Sequence, residues 1–352
     1  MSSKRLECGS SVNGCVAKGC GYCMNGSKMV LFVTGQCGTG CFYCPVSEEK
    51  MGKDVMYANE KRVSGSDGII SEALSMDAAG TGITGGDPLV CIGRTLMLIR
   101  MLKEKFGKDH HIHLYTSSVS LEKALALEAA GLDEIRFHPP LSTWENIDGT
   151  DLGAVISRTG MDVGIEVPAL PDHAEALEKL ITDAVRLGVG FVNMNELEFS
   201  ESNWGMMSAR RYELKDELSS AILGSEKLAK ELMKKFPDAN VHFCSSAFKD
   251  SVQLRKRLVR TAEKNAKAYD IVTEDGTVMK GIIYADDLNA AADLLRNGYD
   301  VPDELMFVDH ERKRIETASW IVEEIAPELP FKCYIVEEYP TADRLEVERI
   351  PL

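Results

Sequence analysis

The sequence KMVLFVTGQCGTGCFYCPVSEEK, residues 28–50, joins a short apolar run to a loop rich in glycine and cysteine. The run over residues 29–33 has the length and apolar character of a buried β-strand. Gly35, Gly38 and Gly40 lie in the part that follows, and glycine tolerates the backbone conformations that a tight loop needs. We therefore expect a strand that ends in a closely wrapped loop carrying several thiols.

The cysteines of this loop, Cys37, Cys41 and Cys44, have the spacing C-x3-C-x2-C. Thiolates at this spacing can converge on one inorganic cluster. A [4Fe–4S] cluster normally takes four cysteine ligands, so three would leave one iron open to bind a small molecule. A structural zinc site is the alternative, because a fourth ligand from elsewhere in the chain would complete its tetrahedral set.

Seven of the ten cysteines fall within the first 44 of 352 residues. In a reducing cytosol, such crowding favours metal ligation over disulfides. Besides the loop, Cys8, Cys15, Cys20 and Cys23 precede the first predicted strand, and the last two form a C-x2-C pair typical of metal-binding turns. These four could hold an auxiliary Fe–S cluster, a structural zinc ion, or no complete site. Cys244 could take the place of one of them.

The composition excludes several classes of protein. The chain is 44% hydrophobic and 27% charged, which is typical of globular proteins. Its net charge of −15 repels phosphate backbones, so we do not expect it to bind nucleic acid. No apolar run approaches the ~20 residues that span a bilayer, and the first residues lack the apolar core of a secretory signal. We therefore expect a soluble, cytoplasmic protein that does not engage a membrane.

From residue 28 to about residue 200, short apolar runs alternate with amphipathic stretches. Such alternation predicts a parallel sheet with helical crossovers, and ligands then bind at the carboxyl ends of the strands. Six repeats of this kind fit either an open doubly wound sheet or a partial (β/α) barrel. The predicted strands lie near residues 29–33, 82–84, 111–115, 133–138, 162–167 and 190–194.

After residue 200 the pattern changes. We expect long helices over residues 217–235 and 252–266, and a hairpin over residues 271–284 with its turn at Gly276. The chain then divides into a Cys-rich metal-binding extension (1–27), the barrel (28–245), a helical connection (246–267) and a small C-terminal α+β domain (268–352).

Two further features carry a resemblance to a known family. Tyr43 directly precedes the last loop cysteine, and GGDP at residues 85–88 follows the second predicted strand. Together with the cysteine loop, they resemble the radical S-adenosylmethionine (SAM) superfamily. YANE at residues 57–60 and HFCSSAFKDSVQLRKRL at residues 242–258 make the chain most similar to an archaeal branch related to pyruvate formate-lyase activating enzyme. The resemblance implies an α/β fold with a partial (β/α)6 barrel over roughly residues 28–200.

The same resemblance implies the cofactors. Cys37, Cys41 and Cys44 would hold three irons of a site-differentiated [4Fe–4S] cluster, and SAM would chelate the fourth. Reductive cleavage of SAM would then give a 5′-deoxyadenosyl radical that abstracts hydrogen from a substrate. A low-potential electron donor of the ferredoxin or flavodoxin type is implied as a partner, and the enzyme should be oxygen-sensitive.

The resemblance also suggests which residues bind SAM. Gly85, Gly86 and Asp87 match the motif that binds the amino group of SAM, with Asp87 standing where glutamate is usual. Tyr43 would lie near the adenine. Arg136 and His138 are two residues apart, so their side chains lie on the same face of the fourth predicted strand. There they could bind SAM or an anionic substrate, or they could be exposed to solvent at the end of the strand. The further SAM-binding candidates are Ser117, Arg136, His138, Glu166 and Asn195.

The sequence thus predicts a radical SAM enzyme that acts on a protein, a peptide or a small molecule. It does not assign a catalytic residue, a substrate or an oligomeric state. Two other functions remain open at this point. One is a SAM-dependent methyl or sulfur transferase that uses an auxiliary cluster, and the other is a non-catalytic scaffold that binds zinc or an Fe–S cluster.

Overall fold

A computed structural model describes residues 3–352, so the first two residues of the predicted 1–27 extension lie outside the described part. The chain forms two compact units. The first comprises the described residues up to Leu74 together with Ala78–Leu254, and the second comprises Ser75–Asp77 and Arg255–Leu352. No helix of the described residues is both long enough and apolar enough to cross a bilayer.

The first unit is built on a large, mostly parallel sheet. Over the described residues it has 11 strands in the order β1-β2-β11-β10-β9-β8-β7-β6-β3-β4-β5. The strands are β1 (Lys4–Arg5), β2 (Ser11–Asn13), β3 (Lys28–Phe32), β4 (Met56–Ala58), β5 (Lys61–Val63), β6 (Gly80–Thr84), β7 (His111–Thr116), β8 (Glu134–Phe137), β9 (Asp162–Ala169), β10 (Phe191–Glu196) and β11 (Val241–Cys244).

The run from β3 through β6, β7, β8, β9 and β10 to β11 is parallel throughout. Antiparallel strands are added at both ends: β4 and β5 beyond β3, and β2 and β1 beyond β11. The predicted mixed α/β fold with a parallel sheet is therefore confirmed. The sheet extends past the six predicted strands, because β11 adds in parallel beside β10.

Helices connect the parallel strands. In α4, Ser120 caps the first turn by accepting a hydrogen bond from the backbone N–H of Lys123, and Gly131 ends the helix in the left-handed conformation at φ 105°. The helices of this unit are α1 (Lys18–Met24), α2 (Ser66–Ser75), α3 (Ile92–Phe106), α4 (Leu121–Ala130), α5 (Leu152–Arg158), α6 (Ala174–Leu187), α7 (Trp204–Ala209), α8 (Ser225–Lys235) and α9 (Ser246–Phe248), the last continuing as a π-helix over Lys249–Leu254.

The helix predicted over residues 217–235 begins only at Ser225. Gly224 precedes it in the left-handed conformation, at φ 89°. Before that, the chain pairs with other loop segments through the bridges Leu214–Ile222 and Glu198–Ala221. The first part of the prediction was therefore wrong, because tertiary pairing outweighs the helix propensity of this charged stretch.

The two faces of the parallel sheet differ in character, because successive side chains of a strand point to opposite sides. One face is apolar and fully buried, as Leu31, Ile83 and Leu114 show. The other, which we call the polar face, carries His111, His113 and Tyr115 on β7, Glu134 and Arg136 on β8, Glu166 on β9, and Asn193 and Asn195 on β10.

Helix α1 lies against the polar face. The backbone N–H of Gly19 donates to Glu134 Oε2 at 2.8 Å. The Sγ atom of Cys20 accepts from Arg136 Nη2 at 3.4 Å and from Asn193 Nδ2 at 3.2 Å. A Cβ at Gly19 would lie 2.2 Å from His113 Nδ1. The helix can therefore approach the strands this closely only because residue 19 has no side chain.

The second unit is a small antiparallel sheet with helices. Its strands, in the order β14-β15-β13-β16-β17 with β12 on β13, are β12 (Ile271–Val272), β13 (Val278–Tyr284), β14 (Met306–Asp309), β15 (Arg314–Thr317), β16 (Lys332–Glu338) and β17 (Glu346–Pro351). Its helices are α10 (Arg255–Asn265), α11 (Leu288–Gly298) and α12 (Ser319–Ile325). The pairing of β12 with β13 confirms the predicted hairpin, whose turn contains Gly276 at φ 84°.

The packing of α1 leads to a prediction about two glycines of the same helix. Gly19→Ala should lower the free energy of unfolding by about 1–3 kcal/mol, because the added methyl overpacks a buried site. Gly21→Ala is the matched control, since nothing lies within 4 Å of its Cβ position. It should leave stability unchanged or raise it by up to ~1 kcal/mol through helix propensity. Denaturant unfolding of both variants tests this, and equal stabilities would contradict the placement of α1.

Candidate functional site

The cysteine loop leaves the carboxyl end of β3 and returns to β4. Its base is closed by two backbone hydrogen bonds, from Gly35 N–H to the Lys53 carbonyl and from Gly52 N–H to the Gly35 carbonyl, both at 2.8 Å. Of the three predicted ligands, Cys37 is exposed, while Cys41 and Cys44 are half-buried. The loop therefore presents its thiols towards the surface at the carboxyl end of the parallel sheet.

The spacing of these thiols bears on the kind of metal centre. Tetrahedral zinc, with Zn–S bonds near 2.3 Å, would hold its thiolates roughly 3.8 Å apart. The sulfur atoms of Cys37, Cys41 and Cys44 do not form a set lying within 4.8 Å of one another. In these positions the three thiols are not gathered into the set that a single zinc ion would hold.

The glycine pair after β6 lies directly against this loop. Gly86 N–H donates to the Thr34 carbonyl at 2.7 Å, and Asp87 N–H donates to the Gln36 carbonyl at 2.8 Å. A Cβ on Gly85 would lie 2.5 Å from the Thr34 carbonyl oxygen, and one on Gly86 would lie 2.4 Å from the Gln36 carbonyl oxygen. Both glycines are therefore needed for close approach of two backbones, and they fix the root of the cysteine loop.

Asp87 has 5% of its surface exposed, and both of its carboxylate oxygens are engaged. Oδ1 accepts from Leu89 N–H at 2.9 Å and from Thr116 Oγ1 at 2.8 Å. Oδ2 accepts from the backbone N–H of Ser117 at 3.1 Å and from its hydroxyl at 2.5 Å. Asp87 thereby joins the loop after β6 to the carboxyl end of β7 and brings two candidates, Asp87 and Ser117, into contact.

Tyr43 reaches from the cysteine loop to the polar face. Its hydroxyl lies 3.1 Å from His138 Nε2, and His138 Nδ1 lies 2.9 Å from the Glu166 carbonyl oxygen. Burial, followed by the nearby Cys41, raises the pKa of Tyr43 well above its ordinary value. Burial also lowers the pKa of His138. Both groups are therefore neutral at physiological pH, and the pair can exchange hydrogen bonds with a bound molecule without carrying charge.

The carboxylate of Glu166 is the centre of a buried hydrogen-bond network. Its Oε2 accepts from Arg136 Nη1 at 2.7 Å and from Asn193 Nδ2 at 2.9 Å, and its Oε1 accepts from Asn195 Nδ2 at 3.0 Å. Burial disfavours the charged form of Glu166, but the guanidinium and the two amides outweigh it and hold the pKa below its ordinary value. Arg136 is 2% exposed, so it faces the network and not solvent.

The structure thus brings the predicted SAM-binding residues together in two groups. Gly85, Gly86, Asp87 and Ser117 border the root of the cysteine loop. Tyr43, His138, Glu166, Arg136 and Asn195 form one continuous chain of contacts across β8, β9 and β10.

Two residues of the site were missed by the sequence analysis. Asn203, which is fully buried, donates from Nδ2 to the Tyr43 carbonyl at 3.1 Å, and Ser202 donates to the Cys44 carbonyl at 3.3 Å. Their segment follows β10 by only a few residues, but nothing in its local sequence indicates a contact with a loop about 160 positions earlier. Asn193 had a detectable signal, because its alternation with Asn195 in a buried strand indicates a polar face.

The structure does not gather the four amino-terminal cysteines. Cys8 lies before β2 and Cys15 lies after it, so the strand holds them at opposite ends, and both are exposed. The Cys8 carbonyl accepts from Ser245 Oγ at 2.6 Å, whereas the Cys15 N–H donates to Asn240 Oδ1 at 2.9 Å. These contacts lie beyond the two ends of β11.

Cys20 and Cys23, by contrast, lie on α1, and Cys20 is buried against the polar face. Burial raises the pKa of Cys20 to about 11, and Arg136 opposes this shift only in part. Burial likewise raises the pKa of Cys244 to about 12, and negative charge on Cys20 or Cys23 would raise it further. Cys20 and Cys244 pack in separate hydrophobic clusters, Cys20 with Ala17 and Phe191 and Cys244 with Phe248 and Val252.

Comparison with known proteins adds independent information. A family model described as a 4Fe-4S single cluster domain matches residues 24–130, and one described as a domain of unknown function matches residues 276–352. The chain is also 40% identical, over 95% of its own length and 92% of the relative's, to a protein of Methanocaldococcus jannaschii that is provisionally named a glycyl-radical enzyme activating enzyme. This extent of identity covers both units, and so the chain belongs to the radical SAM family of glycyl-radical enzyme activating enzymes.

Proposed function

We propose that this enzyme cleaves SAM reductively at a [4Fe–4S] cluster held by Cys37, Cys41 and Cys44. The observation that supports this most strongly is the backbone pairing of the cysteine loop with the Gly85-Gly86-Asp87 segment, which brings the thiols and a predicted SAM-binding segment side by side. When bound, the cluster and SAM together supply one-electron cleavage of a carbon–sulfur bond, which yields methionine and a 5′-deoxyadenosyl radical.

The chain's own residues would position SAM in this proposal. Three thiolates leave one iron free for the amino and carboxylate groups of the cosubstrate. The Gly85-Gly86-Asp87 segment, which backbone hydrogen bonds hold against the root of the cysteine loop, would lie beside the methionine part of SAM and bind its amino group. Ser117 lies against Asp87 and extends this polar edge.

The second group would bind the rest of SAM or the substrate. Tyr43 and His138, both neutral and with their rings tilted by 56° to one another, would offer aromatic contacts and hydrogen bonds for the adenine. Glu166 and Asn195 would accept and donate hydrogen bonds to ribose hydroxyls, with Arg136 holding Glu166 in place. We propose that the parallel sheet curves as a partial barrel with this polar face as its lumen.

We further propose that the substrate is a protein glycine, from which the radical abstracts a hydrogen atom. Support comes from the name of the Methanocaldococcus relative, which refers to glycyl-radical enzymes. The required electron would come from a ferredoxin- or flavodoxin-type donor in the cytoplasm. The placement of Cys8 and Cys15 at opposite ends of β2 gives a four-cysteine auxiliary cluster, and thus the transferase alternative, less support.

The proposed ligand role predicts the behaviour of a single cysteine variant. Changing a residue that only orients a metal ligand typically lowers metal affinity or activity by about 10–100-fold. Cys41→Ala removes a proposed ligand itself, so it should reduce formation of 5′-deoxyadenosine by more than ~100-fold. The assay is anaerobic, with dithionite and SAM, and the product is measured by liquid chromatography. Cys333→Ala, which removes a buried thiol in the second unit, is the control and should retain activity. Undiminished cleavage by Cys41→Ala would refute the proposed ligand set.

The proposed role of the glycine pair predicts a second effect. In Gly86→Ala, the new Cβ would meet the Gln36 carbonyl oxygen at 2.4 Å, so one of the two backbones must shift. Overpacking of this kind costs about 1–3 kcal/mol, which corresponds to SAM binding weaker by about 5–150-fold. Gly93→Ala is the control, because nothing lies within 4 Å of its Cβ position. The test is to measure the equilibrium affinity of cluster-loaded Gly86→Ala and Gly93→Ala for SAM. Equal affinities would argue against a role of the glycine pair in SAM binding.

A further inference from the structure

A second set of potential metal ligands lies on the polar face, away from the cysteine loop. His111 and His113 on β7 point to the same side as Glu134 on β8, because His113 and Glu134 are register partners and His111 is two residues before His113. All three are buried, with at most 1% of their surfaces exposed. Their ligand atoms lie within 4.8 Å of one another, and among the described residues this is the one such group of histidine, cysteine or carboxylate side chains.

The distances within this group fit one small cation. His111 Nε2 lies 3.6 Å from Glu134 Oε2, and His113 Nδ1 lies 3.7 Å from Glu134 Oε1. A tetrahedral ion bound at 2.0–2.2 Å by nitrogen and oxygen ligands separates them by roughly 3.4 Å. Two imidazoles and one carboxylate also form a ligand set known for divalent first-row metals. Each histidine therefore lies within a few tenths of an ångström of that separation from one oxygen of Glu134.

One ligand atom of this group is buried without a hydrogen-bond partner among the described residues. His111 Nε2 is buried and forms no hydrogen bond within the described structure. Buried polar atoms are rarely left in this state, and each exception calls for an explanation such as an ion. Glu134 is already oriented, because it accepts from Gly19 N–H at 2.8 Å and from Arg136 Nε at 2.5 Å. Such outer contacts are what positions the ligands in metal sites.

Lys28 is the internal competitor for this position. Its Nζ lies 2.5 Å from His113 Nδ1, 3.4 Å from His111 Nδ1 and 3.4 Å from the Gly19 carbonyl oxygen. A metal ion would take the same Nδ1 of His113, whereas on His111 it would bind Nε2 and not the Nδ1 that faces the ammonium. Burial lowers the pKa of Lys28 to about 8, and this side chain must move aside when a metal ion binds.

A cavity of about 240 Å³ lies beside His111 at the amino ends of the parallel strands. His111 forms part of its wall, together with Asp133, Asp162 and Lys18. The carboxylates of Glu128, Asp133 and Asp162 outnumber the single ammonium of Lys18 in this wall, which favours the entry of a cation. This cavity is at the opposite end of the strands from the cysteine loop, so the two sites lie apart.

We propose that His111, His113 and Glu134 bind a divalent first-row transition-metal ion in exchange for the Lys28 ammonium. The ion bridges β7 and β8 and, through the hydrogen bond from Gly19 to Glu134, holds α1 against the polar face. Its role is structural, and the proposal is independent of the reaction at the cysteine loop.

The test uses zinc as the probe and anaerobically prepared, cluster-loaded protein, in which iron occupies the loop thiols. Wild-type protein should bind close to one zinc ion per chain, measured by elemental analysis after competition with a chromogenic chelator. The His111→Asn/His113→Gln double variant should lose this ion, whereas Cys20→Ser/Cys23→Ser should retain it. Zinc K-edge absorption should show nitrogen and oxygen ligands without sulfur.

Lys28→Met provides an independent test if the His111→Asn/His113→Gln protein folds poorly. Lys28→Met should bind zinc at least ~10-fold more tightly than wild type, because it removes a like charge a few ångströms from the ion. Absence of zinc from both wild type and Lys28→Met would overturn the proposal. So would sulfur in the zinc coordination shell, or zinc retained by a folded His111→Asn/His113→Gln protein.

Discussion

The close pairing of two backbone segments governs the rest of the site. The loop that carries Cys37, Cys41 and Cys44 begins beside Thr34 and Gln36, whose carbonyls accept hydrogen bonds from Gly86 and Asp87. Any side chain at Gly85 or Gly86 would displace these carbonyls. The neighbouring strands β3 and β6 supply the two segments, so the parallel pairing of the sheet determines where the thiols are presented.

The polar face poses a different physical problem, since charged groups buried in a sheet are costly unless they are paired. Here the cost is offset by a continuous network. Glu166 receives three hydrogen bonds, and Arg136 links it to Glu134. Helix α1 covers the network and adds the N–H of Gly19 to it. Such an arrangement holds the hydrogen-bonding groups of the polar face in fixed positions.

Much of this architecture could be predicted from the sequence, because strand–helix alternation and turn residues are local signals. The positions of the six predicted parallel strands and the β12–β13 hairpin agree with the structure. The spacing of the amino-terminal cysteines was misleading as a guide to proximity, since the short strand β2 separates Cys8 from Cys15 by pairing with β11, more than 200 positions away. Non-local pairing of this kind leaves no trace in local spacing.

The sequence of β7 contained a signal of the polar face that the sequence analysis did not use. In the HIHLYT strand, His111, His113 and Tyr115 alternate with apolar residues, although a strand in an ordinary buried parallel sheet is apolar on both faces. That alternation already indicates a polar interior surface. The contact of Asn203 with Tyr43, by contrast, depends on how a distant loop folds back, and only the three-dimensional structure reveals it.

The central claim is that three loop thiols hold a cluster with one iron accessible to SAM. The most direct measurement is electron paramagnetic resonance of the anaerobic, dithionite-reduced enzyme, recorded before and after addition of SAM. The account predicts the signal of a reduced [4Fe–4S] cluster whose g-values shift when SAM binds to the open iron. A spectrum that SAM leaves unchanged, or protein that carries no iron at all, would contradict it.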